Sequence, residues 1–481
     1  MPIITPEGNN MRPQPSTRPQ LVCLALAALL LGGCATFSAD GGLDAVSGMA
    51  QERSGQALLR QKSPDDARLI QEKVAQLLPT PLSADAAVRI ALLNNRMLQA
   101  SLVELGVAEA DLVQAGRLRN PGFSFARMRG GDEIEIDRSI MFDLVGLLTL
   151  PIRSGIEQRR FEQAKLQTAA QAVQLAADTR RAYFNAVAAR QTVQYMEQVG
   201  NAAEAGAELA DRMARVGNWS RLDQAREHLF YADTTAQSAR ARHNATAARE
   251  RLTRLMGLWG AQTTYQLPER LPDLPLAPNQ AIDVESQAMA QRLDVQSARR
   301  EAEATASALG LSRATGFVNV LDAGYANKSV SGKPRENGYQ IALELPVFDW
   351  GGARTAKAEA LYMSAVHRTA DSAIRARSEV REAYSAYRTS YDLARHYRDE
   401  VVPLRKKISE EVLLRYNGML SSVFELLTDA QAQVNSVNAA IDAQRDFWIA
   451  ETDLQAAING NGGAPTPMRA AASGDAAAPA H

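Results

Sequence analysis

A long helix-forming stretch that ends at a Gly-Asn pair decides the fold. From Leu150 to Asn218 the sequence reads LPIRSGIEQRRFEQAKLQTAAQAVQLAADTRRAYFNAVAARQTVQYMEQVGNAAEAGAELADRMARVGN. No proline occurs between Pro151 and Pro268, and good helix formers such as Ala, Gln, Glu and Arg predominate. Gly217 and Asn218 favour the left-handed conformation that ends helices. We therefore predict a helix from about Ile152 to Val216, ~98 Å long at 1.5 Å per residue, which an ordinary globular domain does not need.

The second half of the chain repeats this plan. Four motifs recur in the same order at offsets that agree within about ten residues. They are Leu150-Pro151-Ile152 with Leu345-Pro346-Val347, Arg181-Ala182-Tyr183 with Glu382-Ala383-Tyr384, Arg215-Val216-Gly217 with Tyr416-Asn417-Gly418, and Met256-Gly257 with Asn459-Gly460. Order and spacing together indicate an internal duplication, and the proline-rich stretch between the halves is interpreted as their linker.

The helices that follow the two turns carry apolar residues at heptad spacing. The seams are Leu222, Ala225, Leu229, Ala232, Ala236 and Ala239, and Val423, Leu427, Ala430, Val434, Val437 and Ile441. Such seams predict coiled-coil packing, although an ordinary antiparallel bundle explains them equally well. His243 continues the first seam and is interpreted as a packed core residue.

Four short segments are interpreted as β-strands. Tyr339, Ile341, Leu343 and Leu345 alternate with polar or small residues, a pattern typical of a barrel strand with lipid on one side and water on the other. The other three are residues 317–325, a segment marked by Phe123 and Phe125, and the weakly alternating segment 140–150. Four strands cannot close a barrel with an open lumen, whereas a trimer would supply twelve.

Composition excludes several function classes. With 53 basic and 54 acidic residues the net charge is −1, so no basic surface points to nucleic acid. Cys23 and Cys34 are the only cysteines, which leaves the rest of the chain without thiolate chemistry. The five histidines have no ligand-like spacing, and no phosphate loop or nucleophile elbow occurs. We expect no enzymatic activity, no metal site and no cofactor.

The N-terminus has the features of an export signal. Arg12 and Arg18 precede an apolar run, residues 21–31, that is too short to span a bilayer, and either Met1 or Met11 fits as the start. Leu31-Gly32-Gly33-Cys34 resembles the bacterial lipobox, which implies acylation of Cys34, with Ala35 favouring sorting to the outer membrane; an ordinary signal peptide with an incidental cysteine is the alternative.

The predicted organisation has six parts. They are a signal peptide (1–33), a lipidated linker (34–80), a first repeat (81–266), a proline-rich linker (267–280), a second repeat (281–460) and a disordered tail (461–481). Each repeat comprises a helix, a β-hairpin and a long helical hairpin.

Several short motifs resemble those of the TolC-like outer-membrane efflux proteins. They are Leu82-Ser83-Ala84-Asp85-Ala86 with Ala91-Leu92-Leu93-Asn94-Asn95, Leu345-Pro346-Val347-Phe348-Asp349-Trp350-Gly351, and the turns 217–223 and 418–431. Each motif alone is weak, but their duplicated order over residues 80–460 is specific. The resemblance implies a homotrimer in which a twelve-strand outer-membrane β-barrel continues into a periplasmic α-barrel. It also implies docking to a periplasmic adaptor protein and an inner-membrane pump, anchorage in outer-membrane lipid, and no binding of nucleic acid. Pro403 departs from the family pattern and should kink the helix or mark a bulge.

The candidate functional residues lie near the helical tips. Gly217, Asn218 and Gly418 are assigned to the turns, and Asp223, Glu227, Glu425 and Asp429 to a ring of carboxylates at the pore constriction. Such rings favour cations, whereas a solvated helix face explains each residue about equally well. Arg221 is a candidate tether of the closed state. Arg215 and Arg415 are interpreted as structural, because a cation at a helix C-terminus is favourable anyway.

Two functions of different classes are consistent with these features. The first is a passive export duct, which uses no cofactor and depends on a partner pump. The second is a lipid-anchored periplasmic coiled-coil scaffold that forms no channel. The alternating strand at 339–345 favours the duct, because a scaffold has no need for an apolar strand face. The sequence does not identify the cargo.

Overall fold

The computed structural model of the chain describes residues 36–280, 283–317 and 320–460. The signal peptide with Cys34 and the tail from residue 461 therefore lie outside the described residues. Two compact units are present. A sheet unit comprises residues 36–39, 109–158 and 310–355, and a helical unit comprises residues 40–108, 159–309 and 356–460. Among the helices that the structure describes, none has a segment long and apolar enough to span a bilayer.

Helices dominate the described chain. In chain order they are α1 Leu43–Ser54, α2 Pro64–Leu77, α3 Ala84–Asn94, α4 Arg96–Ala115, α5 Leu144–Arg215, α6 Arg221–Met256, α7 Val284–Gln291, α8 Leu293–Ala314, α9 Gly352–His396, α10 Val402–Asn417 and α11 Val423–Asn459. The strands are β1 Gly122–Gly130, β2 Glu133–Asp143, β3 Leu321–Val330 and β4 Glu336–Leu343. The predicted fold class, mainly helical with duplicated long hairpins and four strands, is confirmed.

The four strands form one antiparallel sheet in the order β1-β2-β3-β4. Each half of the chain contributes one hairpin, and β2 pairs with β3 to join them. Within the described chain, β1 and β4 are the sheet's edges and have no further strand beside them. Unpaired edges expose a row of backbone N–H and C=O groups, which are a template for pairing with another chain.

The boundary between the first hairpin and the long helix was predicted wrongly. Residues 140–150 were expected to form a strand, but β2 ends at Asp143 and α5 begins at Leu144, with Pro151 inside the helix. The strand's alternation lies earlier, in Glu133–Asp137, and it is lost at the three consecutive apolar residues Ile140, Met141 and Phe142. The carboxylate of Asp143 accepts the N–H of Gly146 at 2.6 Å and satisfies a free donor of the first helical turn. Helix α5 is therefore longer than the predicted segment.

Equivalent contacts in the two halves confirm the duplication. Asp85 on α3 pairs with Arg180 on α5 at 2.6 Å, and Glu285 on α7 pairs with Arg381 on α9 at 3.2 Å. The arginines lie 201 residues apart, and the carboxylates 200. The same ion pair therefore fixes the short helix to the long helix in each repeat.

The break after each short helix is also repeated. Asn95 ends α3 with ψ 120°, and Arg292 ends α7 with ψ 124°. Asn95 donates to the carbonyl of Leu255 near the end of α6, and Arg292 donates to that of Ala457 near the end of α11. Both residues thus satisfy free carbonyls at a helix C-terminus.

The proline-rich linker packs against both repeats. Leu267 and Leu271 lie in the apolar core that contains Tyr183, and Leu274 lies in the core around Tyr387. The indole of Trp448 donates to the carbonyl of Pro272 at 3.0 Å. These contacts fix the linker across the helices of the helical unit.

A π-turn precedes Pro403, as expected for a proline inside a long helix. Residues Tyr397–Val401 form the turn, and the N–H of Val402 donates to the carbonyl of Tyr397. A π-turn contains one more residue than an α-turn. Upstream of it the repeats are offset by 201 residues, as for Tyr183 and Tyr384, and downstream by 202, as for the helix ends Arg215 and Asn417. The extra residue of the turn accounts for the change in offset.

The two predicted seams differ in their packing. Val434 and Ile441 on α11 are buried, and Val434 packs with Met196 and Ala241 where α5, α6 and α11 meet. The seam on α6, by contrast, is exposed: Leu222 and Leu229 are 60% and 61% exposed. His243 is exposed as well, so its assignment to the core was wrong. The face of α6 that packs within the chain contains Glu227, Thr234, Ser238 and Ala241, opposite the predicted seam.

Candidate functional site

The first helical tip is a glycine-ended turn between α5 and α6. Gly217 has φ +79°, a left-handed conformation that costs glycine nothing. The N–H of Gly217 donates to Ala214 at 3.1 Å, and that of Asn218 donates to Met213 at 3.0 Å. This is the Schellman pattern, which satisfies the last carbonyls of α5. Gly217 and Asn218 thus lie where the sequence placed them.

The second tip has the same geometry but uses a different residue. The N–H of Met419 donates to Tyr416 at 3.0 Å and that of Leu420 to Arg415 at 2.8 Å. The left-handed residue is Met419, with φ +58°, while Gly418 has φ −83° and caps α10. The pairing of Gly217 with Gly418 was therefore wrong by one residue, because the π-turn shifts the offset to 202. A bulky residue in this conformation is strained.

Asp223 and Glu425 occupy equivalent positions, three residues after a serine N-cap. The Ser220 hydroxyl accepts the N–H of Asp223 at 3.1 Å and donates to its carboxylate at 2.7 Å. Ser422 accepts the N–H of Glu425 at 3.2 Å, and the hydroxyl of Ser421 donates to its carboxylate at 2.7 Å. Both acids therefore stabilise the first turn of their helix, where negative charge is favourable.

Glu227 and Asp429 are the second equivalent pair, and their environments differ. Glu227 is 9% exposed, and its Oε2 has no hydrogen-bond partner among the described residues. A Cβ at Gly206 on α5 would lie 2.3 Å from Oε1, so a larger residue there would force the carboxylate of Glu227 to move. Burial raises the pKa of Glu227, against the opposing effect of nearby His228. Asp429, by contrast, accepts a hydrogen bond from Ser409 on α10 at 2.5 Å.

The basic residues near the tips have separate roles. Arg221 is exposed, and no ion pair to it occurs within the described chain. Arg215 donates to the carbonyl of Asp211 at 3.3 Å, whereas Arg415 pairs with Glu411 at 3.2 Å. His228 lies 2.8 Å from Asp211, and this hydrogen bond is the main cause that lowers the pKa of that carboxyl group.

A contact that the sequence did not predict links the two repeats near their tips. The guanidinium of Arg226 on α6 lies 4.8 Å from the ring centre of Phe424 on α11, and Arg226 also lies 3.6 Å from Asp223. Cation–π contacts need a precise spatial relation between helices, for which heptad spacing gives no signal. Met419 and Leu420 lie in the predicted second turn but were not named as candidate tip residues. They are 94% and 81% exposed.

The sheet has two chemically distinct faces. Register places Phe123 beside Ile140, Tyr325 and Tyr339, and Phe142 beside Ala323 and Ile341. Large apolar side chains on this face, which we call the apolar face, are exposed, with Tyr339 at 93% and Ile341 at 71%. The opposite face, here the polar face, carries Ser124, Ser139, Lys328 and six carboxylates, at Glu133, Glu135, Asp137, Asp143, Asp322 and Glu336.

Comparisons with known proteins agree with this architecture. No family model matches the chain. The cobalt-zinc-cadmium resistance protein CzcC of Cupriavidus metallidurans is 23% identical over 273 residues, and the match spans 56% of this chain and 64% of CzcC, less than two thirds of that relative's length. A solved membrane protein from Pseudomonas aeruginosa has a TM-score of 0.69 at 21% identity. The match covers 78% of this chain and 93% of the Pseudomonas aeruginosa protein.

A channel protein gives a similar result. The Campylobacter jejuni CmeC outer membrane channel has a TM-score of 0.67 at 17% identity, covering 84% of this chain and 89% of CmeC. The chain has the fold of these two solved proteins. Within the part that the structure describes, no three His, Cys, Asp or Glu side chains come together as a metal site.

Proposed function

We propose that the chain is one subunit of a trimeric outer-membrane duct of an efflux system. The sheet is the observation that carries this proposal. One face presents a continuous exposed apolar surface, the other is polar, and both edge strands lack a partner within the described chain. Three copies joined edge to edge would close a twelve-strand barrel with lipid outside and water inside. The similarity in fold to the solved CmeC outer membrane channel, with a TM-score of 0.67, supports the channel proposal.

The exposed seam of α6 supports the trimer independently. Leu222 and Leu229 are more than half exposed in the single chain, and the alanines at the other seam positions permit close helix approach. We infer that this seam packs against a second copy of the chain. The helical unit of each subunit would then contribute to a periplasmic α-barrel, with the tips docking to an adaptor protein and an inner-membrane pump. Acylation of Cys34 would add a lipid anchor.

Three of the four tip carboxylates belong to the proposed constriction. Asp223, Glu425 and Asp429 would each occur three times in the trimer, and such rings attract cations. Glu227 is only 9% exposed and packs within its own chain, so it is left out of the ring. The capping bonds of Asp223 and Glu425 hold their carboxylates at fixed positions. Arg221 has no ion pair within the described chain, which leaves it available to a neighbouring subunit.

Divalent metal cations are the cargo class that we propose. The match to the cobalt-zinc-cadmium resistance protein CzcC supports this class. The polar face of the sheet agrees with it, because six carboxylates there stand against one lysine. An acidic lining raises the local cation concentration without a binding site that would retain the ion.

Conductance in planar bilayers tests the duct. We expect purified protein to be a trimer in detergent and to conduct with a preference for cations, including Zn²⁺. Asp223→Asn combined with Asp429→Asn should lower the cation preference, whereas Asp233→Asn, an exposed acid on α6, should leave it unchanged. A monomer that is extracted without detergent after removal of Cys34 would favour the periplasmic scaffold instead.

A second test addresses the seam. Leu229→Asp places a charge in the seam and should convert trimers to monomers in a sizing column. Asn244→Asp adds the same charge at an exposed position of α6 about 90° from the seam centre, and trimers should persist. Trimers that survive Leu229→Asp would contradict the assigned role of the seam.

A further inference from the structure

The charges of the sheet are segregated by face. All six carboxylates lie on the polar face, and the apolar face carries three charged residues, all of them arginine: Arg127, Arg129 and Arg138. Register places Arg138 opposite Phe125, and Arg127 opposite Ile136. The three arginines therefore share one surface with the apolar residues, at the end nearest the β1–β2 turn.

Their position along the strands is at the border of the apolar surface. The rows of Leu321 with Leu343 and of Tyr325 with Tyr339 are apolar or aromatic, and the next row contains Arg138 and Asn327. From Leu321 to Asn327 the strand advances ~20 Å at 3.3 Å per residue. That height approaches the ~25 Å apolar band of a membrane barrel, so the arginines begin where such a band ends.

The guanidinium groups lack anionic partners. Within the described chain none of the three arginines forms an ion pair. Arg138 donates to the side chain of Asn327 at 3.3 Å, and Arg129 has one long contact of 3.5 Å to the carbonyl of Gly131. The neighbouring lysines differ, because Lys328 pairs with Glu135, and Lys333 with Glu133 at 3.4 Å.

We propose that Arg127, Arg129 and Arg138 form a belt that binds the phosphate groups of membrane lipids at the rim of the apolar face. Guanidinium binds phosphate through two parallel hydrogen bonds. Arginine is disfavoured at the centre of a bilayer but tolerated near the interface, where lipid phosphates lie. Lipid is favoured over free phosphate because acyl chains of the same molecule would contact the adjoining apolar face. A trimer would present nine arginines.

This inference rests on the proposed insertion of the sheet into a membrane, and the two are tested separately. Flotation with phosphatidylcholine vesicles measures insertion of the protein into a membrane. Insertion does not depend on the arginine belt and should occur for every variant below. Failure of the wild-type protein to float would contradict the proposed duct. Belt binding is then measured on detergent-purified trimers by native mass spectrometry with diphosphoryl lipid A and with its dephosphorylated form.

We expect the wild-type trimer to bind diphosphoryl lipid A at least tenfold more tightly than the dephosphorylated lipid. Replacing all three belt arginines by glutamine should remove this preference, and replacing them by lysine should leave part of it. The matched control replaces Arg89, Arg251 and Arg377, exposed arginines of the helical unit, by glutamine and should retain the full preference.

Three results would overturn the proposal. The first is equal binding of the two lipids by the wild-type trimer, and the second is an unchanged preference in the glutamine variant. The third is displacement of the lipid by millimolar inorganic phosphate, which would identify a free-anion site instead. If the glutamine variant does not form trimers, the lysine variant and the single substitutions give the same comparison.

Discussion

The two helical tips use the same turn with different residues, and this predicts opposite effects of substitution. Gly217 and Met419 are both left-handed, at φ +79° and +58°. The conformation costs a non-glycine residue roughly 1–2 kcal/mol, while glycine loses roughly 0.5–1 kcal/mol more backbone entropy on folding. Met419→Gly should therefore stabilise the second tip by about 0.5–1 kcal/mol. Little packing is lost, because the methionine side chain is 94% exposed.

The reciprocal change should destabilise the first tip by a similar amount. Gly217→Ala introduces the left-handed strain, and no atom lies within 4 Å of the added Cβ to complicate the result. Gly200→Ala is the matched control, since Gly200 lies inside α5 with equally open space around it. There alanine should stabilise the helix by about 0.8–1 kcal/mol. The same substitution is thus expected to stabilise the chain inside α5 and to destabilise it in the turn that follows α5.

Hydrogen exchange of the tip amides measures these effects locally. The N–H groups of Asn218 and Leu420 close the two turns, and their exchange reports local opening. A change of about 1 kcal/mol alters the opening equilibrium about fivefold. Faster exchange in Met419→Gly, or slower exchange in Gly217→Ala, would refute the reasoning that backbone strain distinguishes the tips.

Two further predictions concern buried charges. The raised pKa of Glu227 means that its contribution to stability is present at low pH and is lost as pH rises through the folded-state pKa. Glu227→Gln should therefore protect the first tip at neutral pH by about 1 kcal/mol and flatten the pH dependence of its hydrogen exchange; an unchanged pH profile would contradict this. Arg292, 2% exposed, pairs with Asp294 at 2.6 Å and Glu379 at 2.8 Å. Arg292→Met removes the partner of both carboxylates and should lower the free energy of unfolding, measured by thermal unfolding, by about 3 kcal/mol. Arg292→Lys should have an intermediate effect. An Arg292→Met variant as stable as the wild type would exclude a structural role for Arg292.

The long helices and their duplication could be predicted from the sequence because they depend on local rules. Absence of proline over more than a hundred residues and repeated motifs such as Leu150-Pro151 and Leu345-Pro346 need no tertiary information. The effect of Pro403 was also predictable, because a proline removes a defined hydrogen bond. The change in register that the π-turn causes could not be predicted. An offset of 201 residues pairs Gly217 with Gly418, whereas the left-handed residue of the second tip is Met419.

Faces and partners were harder to predict than elements. The seam of α6 has the heptad spacing of a packed surface, yet Leu229 is exposed and Glu227 is buried within the chain. A heptad pattern shows that a face is apolar but does not show whether it meets the same chain or another copy. The cap role of Asp223 was accessible in principle, since Ser220 three residues earlier is typical of a helix start.

The π-turn before Pro403 shows how a long helical hairpin can change length by one residue at a time. An insertion of one residue in a regular helix rotates everything beyond it by about 100°, which would turn buried positions to solvent. Here the added residue is confined to Tyr397–Val401, and equivalent caps at Ser220 and Ser422 still begin equivalent helices. Each hairpin can therefore gain or lose single residues without redesign of its packing face. The two repeats can therefore differ in length by one residue and still begin equivalent helices at Ser220 and Ser422.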